Sequence, residues 1–142
     1  MKLAGFVSLV FLTLTLWPHG ATGQATQKPE EVAQKSAEAW LALADAGKYS
    51  ETWDEAAVYF KNAITKERWV NAMKSTRTSL GAVRVRKLKS ARYTKTLPNA
   101  PDGEYVVIQY DTSFENKESA VETITPMLDK DGKWHVSGYY IK

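Results

Sequence analysis

Apolar residues change their spacing twice along this chain of 142 residues. A first apolar run extends from Leu3 to Trp17, with Lys2 before it and Pro18 after it. From Pro29 to Gly81 apolar positions recur at three- and four-residue intervals, the period of one buried helix face. From Val83 to Ile141 they alternate, as strand residues do when successive side chains point to opposite faces of a sheet. The pattern predicts three helices followed by four strands.

Pro29 has the backbone angle of a first helical turn, and Glu30 and Glu31 complement the dipole there. Val32, Ser36, Trp40 and Leu43, flanked by Ala33, Ala37, Leu41 and Ala44, form one stripe that ends at Gly47. Ser50 is the expected cap of a second helix, with Trp53, Ala56, Ala57 and Phe60 on its buried face. Thr65 is the expected cap of a third, carrying Trp69, Met73, Thr76 and Leu80 on one stripe and ending at Gly81.

The strand period predicts β-structure over 83–97, 104–115, 119–128 and 134–141. Turn formers fill 98–103, and shorter turns are expected at 116–118 and 129–133. In the second strand Val106, Ile108, Tyr110, Thr112 and Phe114 share one face, and the apolar residues on both faces near its start predict a central position. Pro126 lacks a ladder donor, so the third strand is expected to lie at an edge or to carry a bulge there. The implied class is α+β, with three helices packed on a curved four-stranded antiparallel sheet.

The first apolar run is shorter than the ~20 residues needed to span a bilayer, and small residues follow its break. Residues 1–25 therefore read as a secretory leader, with cleavage expected after Gly23 or after Ala25, leaving one domain over 26–142. Loss of Lys2 lowers the net charge from +3 to +2, which is no nucleic-acid footprint. The densest cationic cluster, Arg84, Arg86, Lys87, Lys89 and Arg92, reads as a solvated strand face. No cysteine is present, so thiol catalysis, thiolate metal sites and a lipidated cysteine are excluded, and stability rests on packing without disulfides. A soluble periplasmic or secreted protein without a membrane span is expected.

Two resemblances accompany these patterns. The element order, with an aromatic first helix and a long meander, resembles the cone-shaped nuclear-transport-factor-2-like and cystatin-like superfamily. Ala39-Trp40-Leu41-Ala42-Leu43, Tyr49, Trp53-Asp54, Phe60, Trp69-Val70, the run from Leu97 to Gly103, the run from Thr112 to Lys117, and Gly132-Lys133-Trp134 resemble an exported bacterial family classed as domain of unknown function 4019. That family carries no established activity. The superfamily cone implies a pocket between helices and sheet, and Trp40, Trp53, Phe60, Trp69, Tyr110, Phe114 and Tyr139, or its neighbour Tyr140, are the side chains expected to line it. The same aromatics at helical spacing also make an ordinary core stripe.

Enzymes with the resembled fold use a strand carboxylate as general base beside a carbonyl. Asp111 and Glu122 are the strand carboxylates here, with Tyr110 and Tyr139 as hydrogen-bond donors. The competing expectation places both acids on a solvent-facing or cross-strand paired surface. His135 follows the leader alone, too few ligands for a metal site, and is a candidate only for proton transfer. Phosphate loops, nucleophile elbows and dinucleotide fingerprints are missing, so no metal or cofactor is expected. The favoured reading is a non-catalytic binding domain for a small apolar or amphipathic ligand or a protein partner. Its alternatives are an isomerase or dehydratase based on Asp111 or Glu122, and an envelope interaction module, including a homodimer.

Overall fold

A computed structural model describes residues 26–142 of the chain. The expected leader, both its cleavage points and His19 lie outside the described residues. Helix α1 spans Pro29–Asp45, with Pro29 in its first turn and Glu30 and Glu31 beside it. It closes on Gly47, whose φ of 74° places it in the left-handed region. There the Gly47 N–H donates to the Ala44 carbonyl and the Lys48 N–H to the Leu43 carbonyl, the paired bonds of a Schellman motif.

The single second helix expected from Ser50 onward is instead two short helices, α2 (Tyr49–Asp54) and α3 (Val58–Ala63). In a continuous helix the Ala57 and Val58 N–H groups would donate to Trp53 and Asp54. Here Ala57 donates to the Val136 carbonyl at 2.8 Å and Val58 to Asp129 Oδ2 at 2.9 Å. Tertiary acceptors at Val136 and Asp129 thus outcompete the local ladder. Ser50 is also not the cap: Lys48 occupies that position without a side-chain bond, and Ser50 lies inside α2. Helix α4 spans Lys66–Leu80, and Thr65 caps it as expected, its hydroxyl accepting from the Arg68 N–H.

Gly81 turns the chain from α4 into the sheet with φ 74°, and a Cβ there would come within 2.8 Å of the Glu115 Cβ. Only glycine suits both the angle and the approach of the 115–116 turn. The sheet runs β1 (Val83–Thr94), β2 (Tyr105–Phe114), β3 (Lys117–Leu128) and β4 (Trp134–Ile141), paired antiparallel in chain order. β1 stops three residues before the expected end, and β3 starts two residues early. β2 is central, as its two-sided apolar start implied, and Val106, Ile108, Tyr110, Thr112 and Phe114 are all buried. Pro126 falls at a register shift in the interior strand β3, so the missing donor is absorbed by a bulge.

α1 packs across all four strands, and α2 joins α1 to α4. Ala33, Ala37, Leu41 and Ala44 let α1 approach the sheet closely, where Val106, Ile108, Ile124 and Val136 meet it. Full burial of each large aliphatic side chain contributes roughly 1.5–3 kcal/mol.

Candidate functional site

The expected pocket aromatics fall into separate places. Trp40, Phe60 and Trp69 are buried in mutual contact, with Phe60 edge-on to Trp69 at 4.8 Å and Trp40 at 6.0 Å from Trp69. Tyr139 joins them, its ring 5.1 Å from that of Trp40. Thr52 satisfies both buried indoles: its carbonyl accepts from Trp40 Nε1 at 2.8 Å and its hydroxyl from Trp69 Nε1 at 2.9 Å. Trp53 is only half-buried, donates to the Ile64 carbonyl, and has Lys61 and Lys66 over its ring. Phe114 is buried with the Arg77 guanidinium 5.4 Å from its ring centre, whereas Tyr140 is exposed.

Beside this cluster lies a charged one. Glu122, on the buried face of β3, is fully enclosed. Its Oε1 accepts from Arg86 Nε at 2.7 Å and the Thr112 hydroxyl at 2.6 Å. Its Oε2 accepts from the Tyr139 hydroxyl and from Arg86 Nη2 at 3.2 Å. Arg86 also holds Asp45 at 2.7 and 3.0 Å, while Arg77 donates to Asp45 and to the Tyr139 hydroxyl. Two guanidinium groups thus face two carboxylates across α1, α4, β1 and β3. Burial pushes the Asp45 carboxyl up, but the bonds from Arg86 and Arg77 outweigh it and hold it below the ordinary value. Burial, followed by the charge of Glu122, pushes the Tyr139 hydroxyl well above its ordinary value.

This geometry corrects two expectations. Glu122 is neither solvent-facing nor on a surface pair, and Arg86 does not belong to a solvated strand face. A carboxylate has about four acceptor positions, and four donors already occupy those of Glu122. A general base must reach a substrate proton, and this one is engaged by its own protein. Asp111 does follow the surface expectation: it is exposed, opposite Lys87 in register, with Lys89 Nζ at 3.4 Å. Tyr110 is buried with no partner for its hydroxyl, and burial with nearby Glu38 pushes its pKa up to about 12. The candidate chemical residues are therefore not gathered around one reacting centre.

An open cleft of about 560 Å³ lies elsewhere, between α1, α2 and the start of β4. Ala39, Trp40 and Leu43 of α1 and Trp134 of β4 supply its apolar walls. Glu51, Asp54 and Glu55 form an acidic side, and Lys133 and His135 close one end. The Ser36 hydroxyl, donating to the Trp134 carbonyl at 2.6 Å, ties α1 to β4 beneath it. His135 is a strand residue as expected, but both of its ring nitrogens are engaged, with the Glu55 carbonyl at 3.0 Å and Asp131 Oδ2 at 2.8 Å.

Among the described residues no group of three or more His, Asp or Glu side chains is arranged to hold a metal, and no helix is long and apolar enough to cross a membrane. Asp45, Thr52 and Arg77 escaped the sequence reading. Arg77 had a signal, since it follows Trp69 and Met73 at four-residue spacing on the buried stripe of α4. Glu122 had one too, lying in phase with buried Ala120 and Ile124.

The fold and cleft define a small α+β protein with an aromatic core, a buried ion cluster and one amphipathic cleft. Residues 36–139 match the family described as "Protein of unknown function (DUF4019)", and the chain belongs to that family. No curated protein matches the chain.

Proposed function

We propose that this protein is an exported, non-catalytic binding domain that holds a small amphipathic molecule in the cleft between α1, α2 and β4. The observation that carries this reading is the composition of the cleft walls. Trp134, Leu43 and Ala39 offer apolar area to a chain or ring, while Glu51 and Asp54 of α2 and its C-cap Glu55 face the same space. Glu51 and Asp54 have only exposed lysine partners, Lys48 and Lys66, and such pairs hold their members weakly. The acidic side therefore suits a head group that is cationic or rich in hydrogen-bond donors. The saturation of Glu122 counts against the isomerase or dehydratase alternative.

Export and periplasmic or secreted residence are part of the proposal and rest on the leader pattern of residues 1–25. The likeness to the nuclear-transport-factor-2-like superfamily is part of it as well, supported by a helical layer on one face of an antiparallel meander. A second reading, an interaction module, is favoured by β1, an edge strand with exposed Val85 and Leu88 among Arg84, Lys87, Lys89 and Arg92.

Native mass spectrometry of the protein recovered gently from the cells that make it tests both parts. The expected spectrum begins at Gln24 or Thr26 and carries a small-molecule adduct that Ala39→Arg removes. Ala39 is an exposed helical position, so this change fills the cleft without entering the core. A chain still beginning at Met1, or an adduct retained by Ala39→Arg, contradicts the corresponding part.

A further inference from the structure

His135 stands where the 129–133 turn meets the break between α2 and α3. It closes one end of the binding cleft and also lines a second cleft, of about 270 Å³, beside Val58, Lys61 and Asp129. The partners of its ring are unusual in kind. The Glu55 carbonyl and the Asp131 carboxylate are both acceptors, at 3.0 and 2.8 Å. A neutral imidazole has one N–H and one lone pair, so it satisfies one of them and opposes the other; an imidazolium donates to both.

We propose that His135 is a proton-operated clasp that sets the position of the cleft's end wall. In the charged state it ties Asp131 to α2 and holds Lys133, whose N–H donates to Asp131 Oδ1 at 2.9 Å, against the cleft. In the neutral state one nitrogen turns its lone pair toward an oxygen, and Asp131, half-exposed, leaves for solvent. The base of the turn stays fixed, because the Ala57 bond to Val136 and the Val58 bond to Asp129 contain no group that titrates near neutrality.

The surrounding charges favour this assignment. Asp129 and Asp131 approach from the turn, Glu51 and Asp54 from α2 and Glu55 from its C-cap; Lys61 of α3 and Lys130 and Lys133 of the turn oppose them. Burial alone lowers the histidine pKa, but the bond to Asp131, the Glu55 carbonyl and the charges of Asp131 and Asp129 outweigh it. The net direction is upward from the ordinary histidine value. The clasp is therefore closed at acid pH, still mostly protonated at the ordinary histidine value of about 6.5, and opens as pH rises through the higher folded value.

The role in gating rests on the binding reading above; the clasp itself is tested without a ligand. In an NMR titration from pH 5 to 9, with His135 resonances assigned against His135→Gln, the expected midpoint lies above about 6.5 and falls in Asp131→Asn. The Lys133 amide is expected to titrate with the ring, while those of Ala57 and Val58 hold still. A midpoint at or below the ordinary value, or one indifferent to Asp131→Asn, overturns the clasp. For gating, binding of octyl glucoside, an uncharged amphiphile, below its micelle concentration is expected to weaken about fivefold or more across the midpoint. Unchanged affinity overturns the gating role. A titrating clasp with no binding at any pH removes the binding reading and the gating with it, and leaves the clasp standing.

Discussion

The aromatic centre and the charged centre adjoin one another under the same helix, yet they are held together in different ways. Around Trp40, Phe60 and Trp69 stabilisation comes from apolar area and ring contact, and one residue, Thr52, satisfies both buried indole donors. Around Glu122 the groups are expensive to bury, and four donors from Arg86, Thr112 and Tyr139 compensate one carboxylate. In the first centre each ring contributes through its own area and contacts, so the loss scales with the atoms removed. The second is stabilising only when complete, because removing one member leaves its partners charged and unpaired. Tyr139 joins them, its ring against Trp40 and its hydroxyl on Glu122.

The largest expected effect is on the aromatic side. Trp40→Ala removes a ring that touches Trp69 and Tyr139 and should cost about 5 kcal/mol in urea unfolding, the upper end for such truncations. A loss under about 1 kcal/mol would mean that the rings are loosely packed.

Glu122→Ala should cost about 4 kcal/mol by taking one of the two carboxylates from buried Arg86 and the acceptor from the Thr112 and Tyr139 hydroxyls. The sharper test is a double-mutant cycle with Arg86→Met, where coupling of roughly 2 kcal/mol is expected and additivity would dissolve the idea of one cooperative cluster.

Thr52→Val keeps the shape and removes the acceptor of Trp69 Nε1, so a loss of about 2 kcal/mol is predicted. An unchanged melting temperature would show that water replaces the hydroxyl.

Acid should separate the two centres. Asp45 has a lowered folded pKa, so it contributes stability that is present above its ordinary value and is lost as pH falls through the folded one. Asp45→Asn should flatten the stability curve below about pH 4. A slope equal to that of the parent would remove Asp45 from the cluster's energetics.

The smallest effect is expected at Tyr110, whose buried hydroxyl has no partner. Tyr110→Phe should be neutral or stabilising by up to about 1 kcal/mol, and a marked loss would reveal an acceptor at that hydroxyl.

Periodicity made most of the fold legible. The alternation in 104–115 placed β2 centrally, Pro126 marked the bulge in β3, and Thr65, Gly47 and Gly81 marked helix ends. The break at Ala56-Ala57 was hidden because its cause lies 79 residues away, at Val136, in the bond from the Ala57 N–H, and no local pattern encodes that bond. Trp53 shows the same limit: its spacing matches Ala56, Ala57 and Phe60, but the break turns it to a half-buried place beside Lys61 and Lys66. The charged centre was half-legible. Arg77 and Glu122 sit in phase with buried neighbours, but a long cation on a strand reads as solvated until its partner is known, and Arg86 finds Glu122 only across β2. The cleft was missed as a unit because its walls come from α1, α2 and β4, and only Trp40 among its residues was expected to line a pocket.

The most direct test of the central claim is NMR mapping of the protein against dodecyl chains with trimethylammonium, maltoside and sulfate heads, each below its micelle concentration. The account predicts shifts centred on Ala39, Leu43, Trp134 and Glu55, strongest for the cationic head and abolished by Ala39→Arg. Shifts centred instead on Val85 and Leu88 of β1, or strongest for the sulfate, would contradict it and make the basic edge strand the binding surface.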